Sequence, residues 1–492
     1  MGGKRSENCD GAKIMEHYLN YIDGEWCDAP NSLVVINPGT AEAYATIAEA
    51  NVQDADRAMT AARRCVDEGL LTAVRPALRT TLMLKAAELI REIADKGALI
   101  SCLENGKTLL DAKDEFLEAA RYFEYYAGMA DKLEGKSIPL GIDYIDFTQY
   151  VPFGVSVQIV PWNFPVSICA RSLAPALAAG NSVVIKSPEV SPLAMTLLIK
   201  AIDKAGFPNG AINLLCGQGS VVGDHLVRHQ EVDQIVFTGS VATGQMILKN
   251  TAKRATPSVM ELGGKSAAIA LQDANLDVLL NSVKVGIFFN AGQVCSAMSR
   301  LLIHAERYEE IKAALVNMAE SLTIGKGEDK ADITPLISLE QKNQVLTMIE
   351  QARKDGATII TGGSAPDLPG YFVAPTIIEA TPSMQISQQE IFGPVLVITP
   401  FETEQEAISI ANGTNFGLVS GVFGGSLNQT LRIAQQLRGG QVFINEWFAG
   451  GVETPFGGVG LSGFGREKGQ EAIYSYVHTR NIAIRLVMDT SQ

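Results

Sequence analysis

Two successive runs of short apolar segments, each closed by a turn and separated by stretches of helical spacing, constrain the fold of this chain more than any other feature. In the first run, residues 155–160 (VSVQIV), 182–185 (SVVI) and 234–237 (QIVF) read as strands, because they are short, rich in β-branched residues and bounded by turn formers. A second run begins after Glu261, with 266–270 (SAAIA) and 300–304 (RLLIH) as strands and 308–321 as a helix. Residues 80–96 carry Leu82, Met83, Ala86, Leu89, Ile90 and Ile93 on one helical face. Strands alternating with helices predict an α/β architecture, with ligands held at strand ends. At 492 residues the chain exceeds what one core accommodates, so at least two domains are expected. Hydrophobic residues at 47% against 19% charged exclude a disordered protein.

The net charge of −14 opposes binding to nucleic acid or to anionic membrane surfaces, which select basic patches. The seven cysteines, at 9, 27, 65, 102, 169, 216 and 295, are scattered, odd in number and without a CxxC pair, which predicts reduced thiols and a cytoplasmic location. No apolar run approaches the roughly 18–20 residues of a membrane helix. The opening MGGKRS fits a crude acylation pattern, but one acyl chain anchors only marginally, so a flexible tail is expected. The loop 361–370 (TGGSAPDLPG) reads as a surface turn.

Cys295 lies among small and polar residues in FNAGQVCS, a setting that can present a thiol to a cleft. Upstream stands Glu261 in ELGGKS, a candidate base, and further upstream Asn163 in PWNFP, where two prolines fix the backbone around one amide donor. A lone cysteine would read as a packing residue; this company makes it a nucleophile. These segments, with FTGS at 237–240, GQVC at 292–295, EIFGPV at 390–395 and PFGG at 455–458, resemble the aldehyde dehydrogenase superfamily in order and separation over nearly the whole chain.

The resemblance implies two Rossmann-like open-sheet domains plus a small β oligomerisation arm. Residues 1–128 and 152–261 would bind the cofactor, 262–462 would carry the nucleophile, and 129–151 with 463–492 would form the arm and C-terminal segment. Stretches 142–150 and 481–486 alternate like strands and would pair subunits into a homodimer or homotetramer.

A pyrophosphate is held well by backbone N–H groups at a glycine-rich turn opening a helix, and Gly239 to Gly244 after the strand at 234–237 supplies one. The literal G-x-G-x-x-G at 458–463 is rejected, since it follows a turn rather than a strand; it would let backbone approach the active-site mouth. By resemblance, Lys186 and Glu189 would bind the adenosine ribose, with Val160, Trp162, Gly219, Thr238, Gly239, Ser240 and Gly244 around the adenosine and pyrophosphate. Glu390 and Phe392 would hold the nicotinamide ribose and ring. A carboxylate at the ribose repels a 2′-phosphate, so Glu189 favours NAD over NADP. The family commonly reads Lys-Pro-x-Glu where this chain has Lys186-Ser187-Pro188-Glu189, a shift that could move Glu189.

Chemically, a Cys295 thiolate would attack an aldehyde, Asn163 and the Cys295 N–H would meet the oxyanion, and Glu261 would activate water to hydrolyse the thioester. Glu467 matches a proton-relay position, with a surface charge as the alternative; Lys265 reads as structural. Coenzyme-A-acylating relatives generally lack the glutamate at 261, so a free acid is the expected product, and a catalytically idle protein would not need the three groups together. The i, i+4 pair His225 and His229 lacks a convincing third donor, so no metal is expected, and nothing singles out His304 as a Cys295 partner. Phe164, Ile168, Arg171, Phe289 and Gly450 would line the substrate tunnel, widened at Gly450, where many relatives carry an aromatic. A bulky or aromatic aldehyde is expected. Two other roles for Arg171 stay open: clamping the carboxylate of a semialdehyde, and pairing with an acidic residue away from substrate.

Overall fold

The computed structural model describes residues 15–486, so the MGGKRS pattern and Cys9 lie outside the described residues. Both predicted runs become sheets. The first has eight strands, in the order Gly463–Phe464, Ser258–Glu261, Gln234–Thr238, Val155–Ile159, Ser182–Ser187, Ile212–Cys216, Asn20–Ile22 and Glu25–Cys27. Its five central strands are parallel, and antiparallel strands close both edges. The second has seven strands, in the order Thr358–Thr361, Thr376–Glu379, Val395–Phe401, Arg300–His304, Ala267–Ala270, Val419–Phe423 and Gln441–Ile444, parallel except at the Thr358–Thr361 edge.

The central strands are buried on both faces, as a parallel sheet flanked by helices requires. Alternation along Ser182–Ser187 sends Val183 and Ile185 into the core under helices Pro76–Glu92, Leu109–Ala127 and Pro165–Ala179, and Val184 into the opposite core under Val52–Asp67. Helix Val52–Asp67 starts at a capping box, with Asn51 accepting from Asp54 N and Asp54 returning the contact to Asn51 N. The predicted helix 308–321 is observed as Tyr308–Ser321. The stretch expected to be helical from 80 to 96 is two helices, Pro76–Glu92 and Ala94–Asn105, because Pro76 starts the first and Ile93, at φ −95 and ψ −1, breaks the ladder.

Strands Ser137–Ile138, Tyr144–Pro152 and Val477–Arg485 form a separate antiparallel sheet whose Ile145 and Ile484 are exposed, as is Ile142 in the turn before the second strand. The segment from 463 onward does more than join this arm: Gly463–Phe464 first closes the eight-stranded sheet against Ser258–Glu261, and Glu471–Tyr474 packs on Pro165–Ala179. A fourth sheet, Glu16–Tyr18, Glu42–Ala48 and Ser32–Asn37, was not foreseen from the sequence. Its strands, EHY, EAYATIA and SLVVIN, are short and lack a clean apolar–polar alternation, so periodicity alone does not separate them from loop.

Candidate active site

Cys295 follows a tight turn, Phe289–Gly292, in which Asn290, Ala291 and Gly292 stand at φ 48, 52 and 72. Consecutive left-handed residues are costly for side chains with a Cβ, and they persist only where the surroundings hold them. At Gly292 a Cβ would lie 2.1 Å from the Gly393 carbonyl, so only glycine fits. Buried Gln293 ties the turn down: its Nε2 donates to Asn290 O at 3.0 Å and its Oε1 accepts from Ile337 N at 2.9 Å.

Asn163 precedes helix Pro165–Ala179, and its Nδ2 donates to Gln293 O at 3.0 Å, leaving a second N–H on the amide. Side chains below fix the PWNFP segment by its carbonyls, Asn105 donating to Trp162 O at 2.6 Å and Lys107 Nζ to Asn163 O at 2.7 Å. Lys107 is itself buried, ion-paired with Glu115, and stacked over the Phe164 ring at 4.2 Å. No local pattern in the sequence distinguishes these two supports.

Glu261 ends strand Ser258–Glu261 beside its register partner Thr238. It is buried, and neither carboxylate oxygen has a hydrogen-bond partner. Burial, then the neighbouring Glu467, push its carboxyl well above the ordinary range, while Arg171 and Arg466 oppose the shift. Cys295 is partly exposed, and burial pushes its thiol up to about 12, with Arg171 acting in the opposite sense. Gly463, at φ 103, lets the C-terminal backbone approach: a Cβ there would lie 1.9 Å from Met260 O. The glycines at 458–463 therefore serve the strand that carries the base.

One cleft of about 220 Å³ is lined by Cys295, Glu261, Asn163, Trp162, Thr238, Gly239, Ser240, Glu390 and Phe392. Ser240 caps helix Val241–Thr251, its Oγ accepting from Thr243 N at 3.2 Å, and Gly244 is buried in that helix's first turn. Glu390 accepts from Gly264 N at 2.9 Å, and Phe392 meets Trp162 edge-on at 5.3 Å. Despite the shifted proline, Glu189 is 2.8 Å from Lys186 Nζ and accepts from Gly219 N at 2.5 Å. A neighbouring groove between Gly219, Val227, Thr243, Met246 and Ile247 is mostly apolar, as a flat heterocycle needs. Val160 is buried and contributes its N–H to Lys186 O rather than a side chain to the cleft. Gln341 and Gln344, which also line the cleft, come from helix Leu339–Lys354 and belong to no recognisable motif; Gln341 fixes Phe392 O at 2.9 Å.

On the expected substrate side, Phe164 and Phe289 stack at 5.8 Å, and Phe448 meets Phe289 at 6.3 Å. Three expected substrate residues need correction, Arg171, Gly450 and Ile168, and one alternative, a surface position for Glu467, falls away. Arg171 does not line the cleft: buried, it is ion-paired with Glu467, donates to Thr238 Oγ1 at 3.2 Å and lies 5.4 Å over the Phe456 ring. Glu467 is no surface charge, since it is buried and also accepts from Ser172 Oγ at 2.5 Å. Gly450 sits on an exposed loop against Thr454, and the aromatic it lacks comes from Phe448 two residues earlier. Ile168 is buried in the core of the first domain's helices rather than among the rings.

His225 and His229 do find a third group that the sequence concealed, Asp56 from the facing helix, with Oδ1 at 2.6 Å and 3.5 Å from their Nε2 atoms. Glu231 N donates to His229 Nδ1 at 3.1 Å, however, which leaves the ring proton on Nε2 pointing at Asp56, a hydrogen-bonding rather than a ligating arrangement. His304 Nδ1 accepts from Glu306 N, away from Cys295. Lys265 is buried with its Nζ unpartnered, and burial pulls its ammonium down to about 7.

The sequence profile of the aldehyde dehydrogenase family matches residues 26–482. The chain is 38% identical to betaine aldehyde dehydrogenase of Bacillus subtilis, over 94% of this chain and 96% of that protein. It is also 38% identical to an aldehyde dehydrogenase of Alternaria alternata, over 98% and 96%. Among solved structures, an NAD+ complex of aldehyde dehydrogenase from Bacillus cereus superposes with a TM-score of 0.94 at 37% identity, covering 96% of this chain and 97% of that one. Identity at this level along the full sheet-and-cleft architecture means that the chain belongs to the aldehyde dehydrogenase family.

Proposed function

We propose that this aldehyde dehydrogenase oxidises a bulky or aromatic aldehyde to its free carboxylic acid, with NAD as acceptor. The reading is carried by one observation: a thiol, an unpartnered buried carboxyl and an anchored amide share a single cleft with a glycine turn at a helix start. The fit of a dinucleotide is supported by that turn, by the apolar groove beside it and by Glu189, whose carboxylate is held against Gly219 N where it would repel a 2′-phosphate. When bound, NAD supplies the hydride acceptor.

The chain's own residues account for the rest. Cys295, as thiolate, adds to the carbonyl carbon, and the developing oxyanion takes the free Asn163 N–H and the Cys295 backbone N–H, donors already fixed before reaction. After oxidation the acyl group remains on sulfur as a thioester. Glu261, once ionised, removes a proton from water, whose oxygen attacks the thioester; the acid leaves and the thiol is restored. The rings of Phe164, Phe289 and Phe448 supply flat apolar walls, which favours an aryl or other bulky aldehyde. Arg171 is occupied by Glu467, which argues against a carboxylate clamp. The exposed apolar edge of the arm supports assembly into a dimer or tetramer, and the unpaired cysteines suit a reducing, cytoplasmic setting.

The test is NADH formation with benzaldehyde, a hydroxybenzaldehyde, hexanal and succinate semialdehyde, each with NAD and NADP, in wild type and Cys295→Ser. Aryl preference with NAD, absent in the variant, is expected. A dominant rate with the semialdehyde would overturn the substrate class, and equal rates in both proteins would overturn the nucleophile.

A further inference from the structure

A guanidinium buried beneath the reaction cleft has no substrate to meet, yet it is bound on two sides. Arg171 sits on helix Pro165–Ala179, ion-paired with Glu467 and donating to Thr238 Oγ1 at 3.2 Å. Thr238 is the register partner of Glu261 on the neighbouring strand and lines the same cleft. Glu467 bridges Phe456 across an antiparallel pair, Phe456 N donating to Glu467 O at 2.7 Å, and the next residue, Gly457, approaches Glu261 so closely that a Cβ there would lie 2.7 Å from Oε1. Arg171, Glu467 and Glu261 are thus consecutive members of one packed cluster, while Arg171 itself stays out of the cleft lining.

We propose that Arg171 is a positioning residue for the general base: locked to Glu467 and Thr238 below the cleft, its guanidinium is the fixed buried cation against which Glu261 gives up its proton. The inference rests on Glu261 being that base. A carboxyl with no hydrogen-bond donor on either oxygen ionises in a buried site only if a nearby cation compensates its charge. Glu261 is surrounded by Glu467, which opposes ionisation, and by Arg171 and Arg466, which favour it; Arg466 reaches backbone carbonyls of Gly458 and Gly465 and is only partly buried. Cys295 is acted on by Arg171, which favours its thiolate, and by Glu390 and Glu261, which oppose it. Arg171 in turn faces Glu467, Tyr122, Glu261 and Cys295. Lys265 acts on Glu390, and burial, then Glu467, raise the phenols of Tyr126 and Tyr476. Within this set Arg171 is the one cation that favours the charged form of both Glu261 and Cys295.

Ser172, donating to Glu467 Oε1 at 2.5 Å, keeps the Arg171–Glu467 pair in register from the next position on the same helix. The dipeptide Arg171-Ser172 therefore serves one carboxylate with two neighbouring side chains, one supplying charge and the other fixing orientation.

The experiment compares Arg171→Met, Arg171→Lys and Arg171→Met/Glu467→Gln with wild type. It measures kcat and KM for benzaldehyde with NAD from pH 6 to 10, and the pH dependence of Cys295 alkylation by iodoacetamide without NAD. Glu261→Gln serves as the reference for the base itself. In Arg171→Met the acid limb of kcat is expected to move up by about one to two pH units, with the alkylation profile moving the same way, because an opposite charge a few ångströms away has been removed. Arg171→Lys is expected to restore most of the shift. The double variant removes the opposing Glu467 as well and leaves no unpaired buried charge, so it folds if the single variant does not, and its limb is expected to lie between those of Arg171→Met and wild type. A uniformly lowered kcat with an unmoved profile in Arg171→Met, or in the double variant if the single variant does not fold, would make Arg171 structural and overturn the proposal. A raised KM for the aldehyde with unmoved profiles would place Arg171 on the substrate and overturn it equally. If Glu261→Gln keeps wild-type turnover, the assignment of the base fails instead.

Discussion

Gly263 and Gly264 stand side by side between the base and the nucleophile, and adding one methyl to each should separate the cofactor's side of the cleft from the thiol's. At Gly263 a Cβ would lie 2.1 Å from Glu390 Oε2, the free end of a side chain, whereas at Gly264 it would lie 2.4 Å from the Cys295 carbonyl, which is backbone. Neither glycine has a positive φ, so Ala costs no conformational strain at either position. Gly263→Ala must therefore swing Glu390 away and break the 2.9 Å bond it accepts from Gly264 N. A hydrogen bond to a charged group contributes about 1.5–3 kcal/mol. If Glu390 holds the nicotinamide ribose, the same amount leaves cofactor binding, and KM for NAD is expected to rise about 10- to 100-fold. The assay is steady-state NADH formation with NAD varied at saturating aldehyde, alongside iodoacetamide alkylation of Cys295 without cofactor. Alkylation is expected to hold or rise in Gly263→Ala, because Glu390, which opposes the thiolate, moves away, and to slow in Gly264→Ala, where the nucleophile's backbone must move. An unchanged KM for NAD in Gly263→Ala, or a collapse of alkylation in that variant, would refute this division of the cleft.

Asn163→Ala removes one oxyanion donor and is expected to lower kcat by about 10²- to 10³-fold with little change in KM, read by steady-state kinetics. For Glu261, whose folded carboxyl is raised above its unfolded value, the unfolded chain loses its proton first as pH rises; stability falls from the ordinary carboxyl range up to the folded value, and base activity appears only as that folded value is reached. Glu261→Gln is therefore expected to flatten the rise of melting temperature toward acid and to stall turnover at the thioester, seen as a burst of NADH without steady state. Gly292→Ala places a Cβ against Gly393 O at φ 72 and is expected to destabilise by more than about 1–2 kcal/mol, checked by urea unfolding. Ile145→Asp with Ile484→Asp is expected to lower the oligomer size on gel filtration while leaving the cleft residues intact.

The strands nearest the site were legible because parallel strands buried on both faces leave continuous apolar runs: 300–304 was read with its observed ends, and 155–160, 182–185 and 234–237 each came within two residues. Cys295, Glu261 and Asn163 were legible because each sits in a segment whose backbone geometry dictates several residues at once, as Gly292 against Gly393 illustrates. Gln341, Lys107 and Phe448 were not, because each reaches the site by tertiary packing from an element whose local sequence answers only to its own helix or loop. Asp56 escaped for the same reason: its helix was unplaced, so the facing histidines had no visible third partner.

Arg171 is the instructive case, because the role observed was one of the open alternatives and its partner could not be named from the sequence. In sequence its neighbours on helix Pro165–Ala179 are apolar or small, and an arginine there reads as a substrate contact, a carboxylate clamp or the partner of an acidic residue elsewhere, with nothing local to choose among them. The residue that explains it, Glu467, is remote in the chain and reaches it only because Phe456 and Glu467 pair as an isolated antiparallel bridge. The same part of the molecule holds the unpartnered carboxylate of Glu261 and the unpartnered Nζ of Lys265, both buried. Buried Glu104, by contrast, is satisfied by the N–H groups of Leu193 and Ala194 at a helix start. A fold that meets its polar requirements at a helix start yet leaves Glu261 bare beside a paired cation has kept one site where charge can appear and disappear. An acyl-transfer cycle with a base of changing protonation needs that condition, and filling the gap with a permanent donor to Glu261 would stabilise the resting carboxylate at the expense of its basicity.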